Sequence, residues 1–139
     1  MTTLVFFIDR ALGNRSVVEA LRNAGACVEI HGDHFAANEQ DAVWLPQVAQ
    51  KGWIILTKDQ KIADRNLEQF AIAQSNARVF IFSSGSTSGV TTAEALKNAL
   101  TKMERFAQGN PSPFIAKVYK SGNVNAWKSR NQLLKILKC

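Results

Sequence analysis

Short hydrophobic runs alternate along the chain with stretches of helical periodicity. Runs bounded by turn residues and rich in Val, Ile and Phe predict strands buried on both faces of a sheet. These strands are predicted at residues 3–8, 26–31, 53–56 and 78–82. Apolar residues spaced three or four apart predict helices at residues 16–25, 39–51, 60–75 (one helix or two short turns) and 91–108. This alternation predicts an α/β sandwich with a mainly parallel sheet.

Polar residues and proline indicate where these helices begin. Ser16–Glu19 and Thr91–Glu94 have the spacing of capping boxes, which satisfy the first free N–H groups of a helix. Pro46 cannot donate a hydrogen bond to the preceding turn, so the second helix is expected to be kinked or to begin late. The apolar side of that helix is expected to include Val43 and Trp44, and Leu67 and Phe70 are among the apolar residues that predict the next one.

The C-terminal part departs from this alternation. Residues 114–120 alternate apolar and polar side chains, and a Ser-Gly-Asn turn at 121–123 precedes residues 124–128, which predicts a β-hairpin. Residues 129–138 predict a short basic helix, so residues 120–139 form a basic C-terminal extension. A chain of 139 residues can bury a full hydrophobic core, and one domain over residues 1–139 is expected.

Composition narrows the class of protein. Charged residues make up 20% of the chain, as in ordinary globular proteins, and no apolar run approaches the roughly 18 residues of a membrane span. The first strand begins almost at Met1, which leaves no room for a signal peptide, so a cytoplasmic protein without membrane contact is expected. Cys27 and Cys139 fit neither a disulfide framework nor a metal-ligand spacing, and Cys27 is expected in the core.

The net charge of +6 is unevenly distributed. Residues 1–95 contain eight Lys/Arg and ten Asp/Glu, whereas residues 96–139 contain nine Lys/Arg and a single acid, Glu104. The C-terminal third therefore offers either a basic face for polyanions or simply a solvated surface. Acidic metal ligands must come almost entirely from the first two thirds.

Three aspartates occupy positions that suit a metal centre. Asp9 and Asp59 follow predicted strands, and Asp41 opens a predicted helix. Ligands of open α/β sheets bind outside the carboxyl ends of the strands, and converging carboxylates favour hard cations such as Mg²⁺ or Mn²⁺. Each aspartate alone also fits a turn residue or an acid favoured at a helix start.

Five segments together resemble the PIN-like domains of the PIN nuclease superfamily, which includes the VapC-type toxins of toxin–antitoxin pairs. They are residues 7–13, 31–35, 41–46, 52–59 and 113–118. The resemblance spans roughly residues 4–124 and is most specific at the strand that ends in Asp9 and at Leu-Thr-Lys-Asp, residues 56–59. It implies a three-layer α/β/α sandwich that hydrolyses RNA with Mg²⁺ or Mn²⁺, a homodimer and an antitoxin partner.

The resemblance also assigns the site. By position, Asp9, Asp41 and Asp59 match the catalytic and metal-binding acids of PIN domains. A fourth acid often present has no firm match, and Asp33 and Asp64 are the weaker candidates. Related small PIN-like domains can have an acid at the position that Arg10 occupies in this sequence. RNA-binding candidates are Arg10, Lys58, Lys61 and Arg65, although exposed helix charges explain the last two equally simply.

Other polar and aromatic residues have two interpretations each. His31, Asp33 and His34 fit either a transition-metal site or, as we favour, a polar loop. Thr57 fits a hydrogen-bond donor to a carboxylate or a strand-end surface residue. Trp44 and Trp53 are expected in the core, as is Trp127, although the cations around Trp127 also suit stacking on an RNA base.

The leading functional hypothesis is a Mg²⁺/Mn²⁺-dependent endoribonuclease, the toxin of a toxin–antitoxin pair. The alternative is a non-catalytic RNA- or protein-binding module on the same scaffold, which an incomplete set of acids would produce. Receiver-like and haloacid-dehalogenase-like phosphoacceptors fit poorly, because Asp9 lacks the second acid that each of those sites requires.

Overall fold

A six-stranded sheet runs through the protein in the computed structural model, which describes residues 4–12, 14–85 and 87–138. The strand order is β2-β1-β3-β4-β5-β6. The first five strands are parallel, and β6 pairs antiparallel with β5. The mainly parallel sheet and the C-terminal hairpin are thereby confirmed. The strands are β1 (Val5–Ile8), β2 (Cys27–Ile30), β3 (Ile54–Thr57), β4 (Arg78–Phe82), β5 (Phe114–Val118) and β6 (Val124–Lys128).

Helices cover both faces of this sheet. They are α1 (Arg15–Asn23), α2 (Asp41–Gln50), α3 (Lys61–Asp64), α4 (Asn66–Ser75), α5 (Gly89–Gly109) and α6 (Arg130–Ile136), with a 3₁₀ turn at His31–Asp33. The stretch 60–75 thus forms a short helix and a longer one, rather than one continuous helix or two short turns. None of the helices in these ranges is both long and apolar enough to cross a membrane.

Alternating side chains of the strands form two hydrophobic clusters. Phe6 and Ile8 join α1 and α5 on one face, whereas Phe7 and Ile55 join α2, α4 and α6 on the other. Because both faces of the central strands are buried, their sequences are almost continuously apolar. The three-layer α/β/α sandwich is confirmed.

Both predicted capping boxes are wrong. Helix α1 is capped by Asn14, whose Oδ1 accepts from the Val17 N–H at 3.0 Å. Helix α5 is capped by Ser88, whose Oγ accepts from the Thr91 N–H at 3.1 Å. Each helix begins earlier than predicted, so Ser16 and Thr91 lie inside the first turn. Pro46 lies within α2, which does not begin late.

Two burial predictions are also wrong. Cys27 is exposed, because β2 is an edge strand with one solvated side. Val43 is exposed on α2, whereas Trp44 is buried as expected. Leu67 and Phe70, two of the apolar residues that predicted a helix over 60–75, are exposed on α4. Basic residues of the C-terminal third occur on both outer layers and on the edge strand β6. These basic residues are therefore spread over several elements and do not belong to a single helix or strand.

Candidate metal centre

The three predicted aspartates line one cavity of about 250 Å³. Asp9 directly follows β1, Asp59 lies two residues beyond β3, and Asp41 is the first residue of α2. Because β1 and β3 are parallel neighbours, their carboxyl ends meet at the same edge of the sheet. The remaining lining residues are Arg10, Ala11, His31, Ala37, Glu39 and Trp44.

Thr57 connects two of these acids. Its buried hydroxyl donates to Asp9 Oδ2 at 2.7 Å and accepts from the Asp59 N–H at 3.0 Å. Asp9 Oδ1 accepts from the Arg10 N–H at 2.7 Å, and Asp59 Oδ1 accepts from the Lys61 N–H at 3.0 Å. Both carboxylates are therefore oriented before any ligand binds, and each oxygen keeps a lone pair free.

Asp41 approaches the same cavity from the helix layer. Its Oδ1 accepts from Trp44 Nε1 at 3.0 Å. Burial raises the pKa of Asp41 above its ordinary value, and the nearby charges of Asp9, Asp59 and Glu68 add to this rise. A cation would relieve this crowding of negative charge.

His31 is a cavity residue that sequence reasoning assigned to a polar loop. It is only 1% exposed, and its Nδ1 has no hydrogen-bond partner. Burial lowers the pKa of His31 from its ordinary value, which favours the uncharged ring. The sequence feature that could have identified His31 as a site residue is its position immediately after β2, which matches the position of Asp9 after β1.

The possible transition-metal site of the His-Gly-Asp-His segment is not assembled. His34 Nε2 instead contacts Glu29 Oε1 at 2.8 Å, and Asp33 is exposed. His31 faces the aspartate cavity, which Asp33 and His34 do not line.

The donor set of the aspartate cavity fits a hard cation. Within residues 4–12, 14–85 and 87–138, no three His, Cys, Asp or Glu side chains are already drawn together around one point. Mg²⁺ does not need such a cage, because it keeps several waters and binds through one or two carboxylates plus substrate phosphates. Oriented carboxylate oxygens on a shared cavity meet that requirement.

The candidates for a fourth acid lie elsewhere. Asp33 and Asp64 are exposed and do not line the aspartate cavity. Two other acids do lie beside Asp41, namely Glu39 and Glu68, in an adjoining cavity of about 390 Å³. Sequence reasoning missed both, because nothing in the local pattern of α4 indicates that Glu68 is buried.

Two of the four candidate RNA-binding cations line the cavities and the other two do not. Arg10 lines the aspartate cavity and Arg65 lines the adjoining one. Lys58 and Lys61 are exposed on either side of Asp59 in the chain.

Trp127 lies away from this site. It is on β6, three strands from β3, or roughly 14 Å at the usual strand spacing. It packs against the hydrophobic cluster beside α6, and Lys117 Nζ lies 4.5 Å from its ring centroid. One face of the Trp127 ring is thus already covered by Lys117.

Sequence comparison places the chain in a family. A family model described as a PIN like domain matches residues 4–84, which include all three aspartates. The chain belongs to the PIN-like domain family. A relative named "Putative ribonuclease VapC45", from Mycobacterium tuberculosis (strain ATCC 25618 / H37Rv), is 29% identical over 119 residues, covering 83% of this chain and 86% of that protein. No solved structure matches this PIN-like chain.

Proposed function

We propose that this protein is an endoribonuclease that depends on Mg²⁺ or Mn²⁺. The observation that carries the proposal is the cavity lined by Asp9, Asp41 and Asp59, in which Thr57 and backbone N–H groups orient two of the carboxylates. Membership of the PIN-like family and similarity to a protein named as a ribonuclease support it.

Asp9, Asp41 and Asp59 would hold the metal ion. A bound divalent ion supplies an activated water and neutralises charge that develops on the phosphodiester. Thr57 keeps Asp9 Oδ2 in place, and the N–H of Lys61 keeps Asp59 in place. Burial favours the uncharged form of His31, so this side chain does not oppose the binding of a cation.

Basic side chains would position the RNA. Arg10 and Arg65 lie beside the acids, and Lys58 and Lys61 extend the positive charge around Asp59. Arginine and lysine contacts to phosphates fix the register of a nucleic acid without reading its bases. We therefore expect the protein to bind RNA with little sequence preference.

The test of this function is cleavage of a synthetic single-stranded RNA. The wild-type protein should cleave with Mn²⁺ and stop when EDTA is added. Asp9→Asn should cleave at least about 100-fold more slowly, while Asp64→Asn, an exposed acid outside the cavity, should match wild type. Equal rates for Asp9→Asn and wild type would show that the site is wrongly assigned.

We also infer that the protein acts as the toxin of a toxin–antitoxin pair in the cytoplasm. The relative in Mycobacterium tuberculosis has the name of a VapC protein, and such toxins are paired with an antitoxin. A short reading frame beside this gene should encode a protein that binds this chain and stops RNA cleavage. A gene neighbourhood without such a frame would contradict the pairing.

A homodimer is the assembly we propose. Val43, Leu67 and Phe70 are exposed on α2 and α4, which pack against one another. Exposed apolar side chains on neighbouring helices favour an interface, and a second copy of the chain is the occupant that the family resemblance implies. Sedimentation velocity should give twice the mass of 15.3 kDa; a monomer at micromolar concentration would refute the proposal.

Two observations favour a different function. The described acids do not form a ready-made ligand set, and Arg10 adds a positive charge to the aspartate cavity. A non-catalytic RNA-binding module on the PIN scaffold would bind RNA without metal, with affinity that falls as salt increases. Calorimetry with Mn²⁺ distinguishes the two functions, because only the nuclease requires metal binding.

A further inference from the structure

We propose that the amino edge of the sheet, opposite the edge with the aspartate cavity, binds a segment of single-stranded RNA. One base would enter an apolar cavity, and the neighbouring phosphates would contact Arg78, Lys128 and Arg130. The choice of RNA as the ligand rests on the proposed function, whereas the surface itself includes none of the acids assigned to the metal ion. This surface would retain RNA without any metal ion.

The strand register brings these cations to one edge. Arg78 is the first residue of β4 and pairs with Phe114, the first residue of β5. Lys128 is the last residue of the antiparallel strand β6 and pairs with Ile115 of β5. The Cα atoms of Arg78 and Lys128 are therefore two strands apart, roughly 10 Å at the usual strand spacing. Arg130 begins α6 directly after this edge.

Two neighbouring cavities open along the amino edge. The aromatic cavity has a volume of about 160 Å³ and is lined by Pro111, Lys128 and Arg130, among others. The arginine cavity has a volume of about 220 Å³ and is lined by Ser112 and Arg78, among others. Pro111 and Ser112 are consecutive, and Arg130 Nη1 donates to the Ser112 carbonyl oxygen. One bound chain can therefore reach both cavities.

The aromatic cavity has the size and the lining for a single base. Phe106 and Phe114 line it with ring centroids 4.9 Å apart at an angle of 75°. The side-chain amides of Asn110 and Asn131 belong to the same wall. Its volume is far below the roughly 300–1,000 Å³ of sites for drug-sized ligands. Aromatic side chains stack on unpaired RNA bases, and amides can hydrogen-bond to base edges.

The guanidinium groups at this edge bind carbonyl oxygens and no carboxylates. Arg78 Nη2 donates to the Gly52 carbonyl at 2.8 Å, and Arg130 donates to Ser112. In the part of the chain that the structure describes, neither arginine forms an ion pair and no acid lines either cavity. Burial lowers the pKa of Arg78 from its ordinary value. A phosphate would supply the missing negative charge and use the remaining N–H donors.

The opposite edge repels RNA when no metal ion is bound. Five acids line the aspartate cavity and the adjoining one, and their charges oppose those of phosphates. The length of β3 (Ile54–Thr57) separates the two edges by roughly 10 Å. Contacts at the amino edge are therefore expected to provide the RNA affinity that remains in the absence of metal.

RNA binding in EDTA tests the inference without relying on cleavage. Fluorescence anisotropy with a labelled oligouridylate of about 16 nucleotides should show binding by the full-length protein that weakens with salt. Arg78→Gln and Arg130→Gln should each weaken binding at least about threefold and reduce the salt slope by about 0.7, as for one phosphate contact. The matched control is Lys97→Gln, an exposed cation on α5 outside both cavities, which should match wild type.

Inorganic polyphosphate, which has no bases, tests the role of the aromatic cavity. Ala126→Leu adds apolar volume at an exposed position of the cavity wall. It should weaken RNA binding at least about fivefold, as expected when stacking of one base is lost, and leave polyphosphate binding unchanged. Ala126→Ser is the matched control and should bind RNA like wild type. Arg130→Gln should weaken the binding of both polyanions.

The remaining outcomes separate this inference from the proposed nuclease function. RNA binding in EDTA that is unchanged in both Arg78→Gln and Arg130→Gln would overturn the inference. Equal affinity for uridine monophosphate and the oligouridylate would overturn it in favour of a free nucleotide. Polyglutamate binding that Arg130→Gln weakens, with RNA binding unchanged, would overturn it in favour of an acidic peptide. The predicted losses of RNA binding in a protein that never cleaves RNA with Mn²⁺ would support it and overturn the nuclease function.

Discussion

Replacing the hydroxyl of Thr57 gives the sharpest mutational test, because this hydroxyl bonds the carboxylate of one proposed metal ligand and the backbone of another. It donates to Asp9 Oδ2 and accepts from the Asp59 N–H. Thr57→Val replaces the hydroxyl with a methyl group of similar size, so the change removes hydrogen bonds without opening a cavity. Thr57→Ser is the matched control, because it keeps the hydroxyl and loses only the methyl group.

The expected loss of stability follows from the burial of these groups. Thr57 is fully buried and Asp9 is 6% exposed. A hydrogen bond to a charged acceptor contributes about 1.5–3 kcal/mol and one between neutral groups about 0.5–1.5 kcal/mol, while a newly buried methyl returns about 0.8 kcal/mol. Thr57→Val should therefore lower the free energy of unfolding by about 2.5 kcal/mol, and Thr57→Ser by about 1 kcal/mol.

Two assays measure the effect. In urea, the unfolding midpoint of Thr57→Val should fall by about 1 M, since the slope for a small protein is about 1–3 kcal/mol/M. Mn²⁺ affinity should fall at least about tenfold in Thr57→Val, as is usual when a group that orients a metal ligand is removed, and change less than about threefold in Thr57→Ser. Unchanged Mn²⁺ affinity in Thr57→Val, or a larger loss in Thr57→Ser, would refute the proposed role of the hydroxyl.

Three further substitutions test the charge of Asp41, the burial of His31 and the proposed dimer interface. Asp41→Asn keeps an oxygen for the Trp44 N–H but removes a crowded charge, so in EDTA it should raise the melting temperature by about 1–2 °C. It should also abolish the increase in melting temperature that Mn²⁺ gives the wild-type protein. A melting temperature below that of wild type in EDTA would contradict this. Because burial lowers the pKa of His31 in the folded protein, the unfolded chain binds a proton more readily as pH falls below about 6.5. The free energy of unfolding therefore decreases as the pH falls from this value to the lowered pKa of the folded state. His31→Gln should therefore lose less stability than wild type between pH 7.5 and 5.5 in urea unfolding, and an equal loss would count against it. Leu67→Lys should give monomers in sedimentation velocity, while a persistent dimer would place the interface elsewhere.

The sheet and its layers could be predicted from the sequence because they depend on runs of consecutive apolar residues. Phe6, Phe7 and Ile8 are apolar in succession, and only a strand covered on both faces buries all three. Asp9 and Asp59 could likewise be placed at one edge, since the carboxyl ends of parallel strands lie together.

The helix starts could not be predicted reliably, because several residues compete for the same role. Asn14 and Ser16 can each cap α1, and the path of the chain from β1 decides between them. Ser88 and Thr91 compete in the same way before α5. Local propensity identifies the possible caps, and tertiary structure selects one.

Burial on α4 depends on partners that are distant in sequence. Glu68 is buried while Leu67 is 61% exposed, the reverse of what hydrophobicity alone predicts. The reason is that the start of α4 faces the start of α2, where Asp41 and Glu39 lie. A cavity formed between two helix starts leaves no spacing motif in the sequence, so the burial of Glu68 beside it could not be predicted.

An anomalous difference map of crystals grown with Mn²⁺ would show directly whether the aspartate cavity holds a metal ion. We expect a peak in the cavity of Asp9, Asp41 and Asp59, about 2.1 Å from at least one aspartate oxygen. A map with no peak in that cavity, at a Mn²⁺ concentration that saturates RNA cleavage, would contradict it.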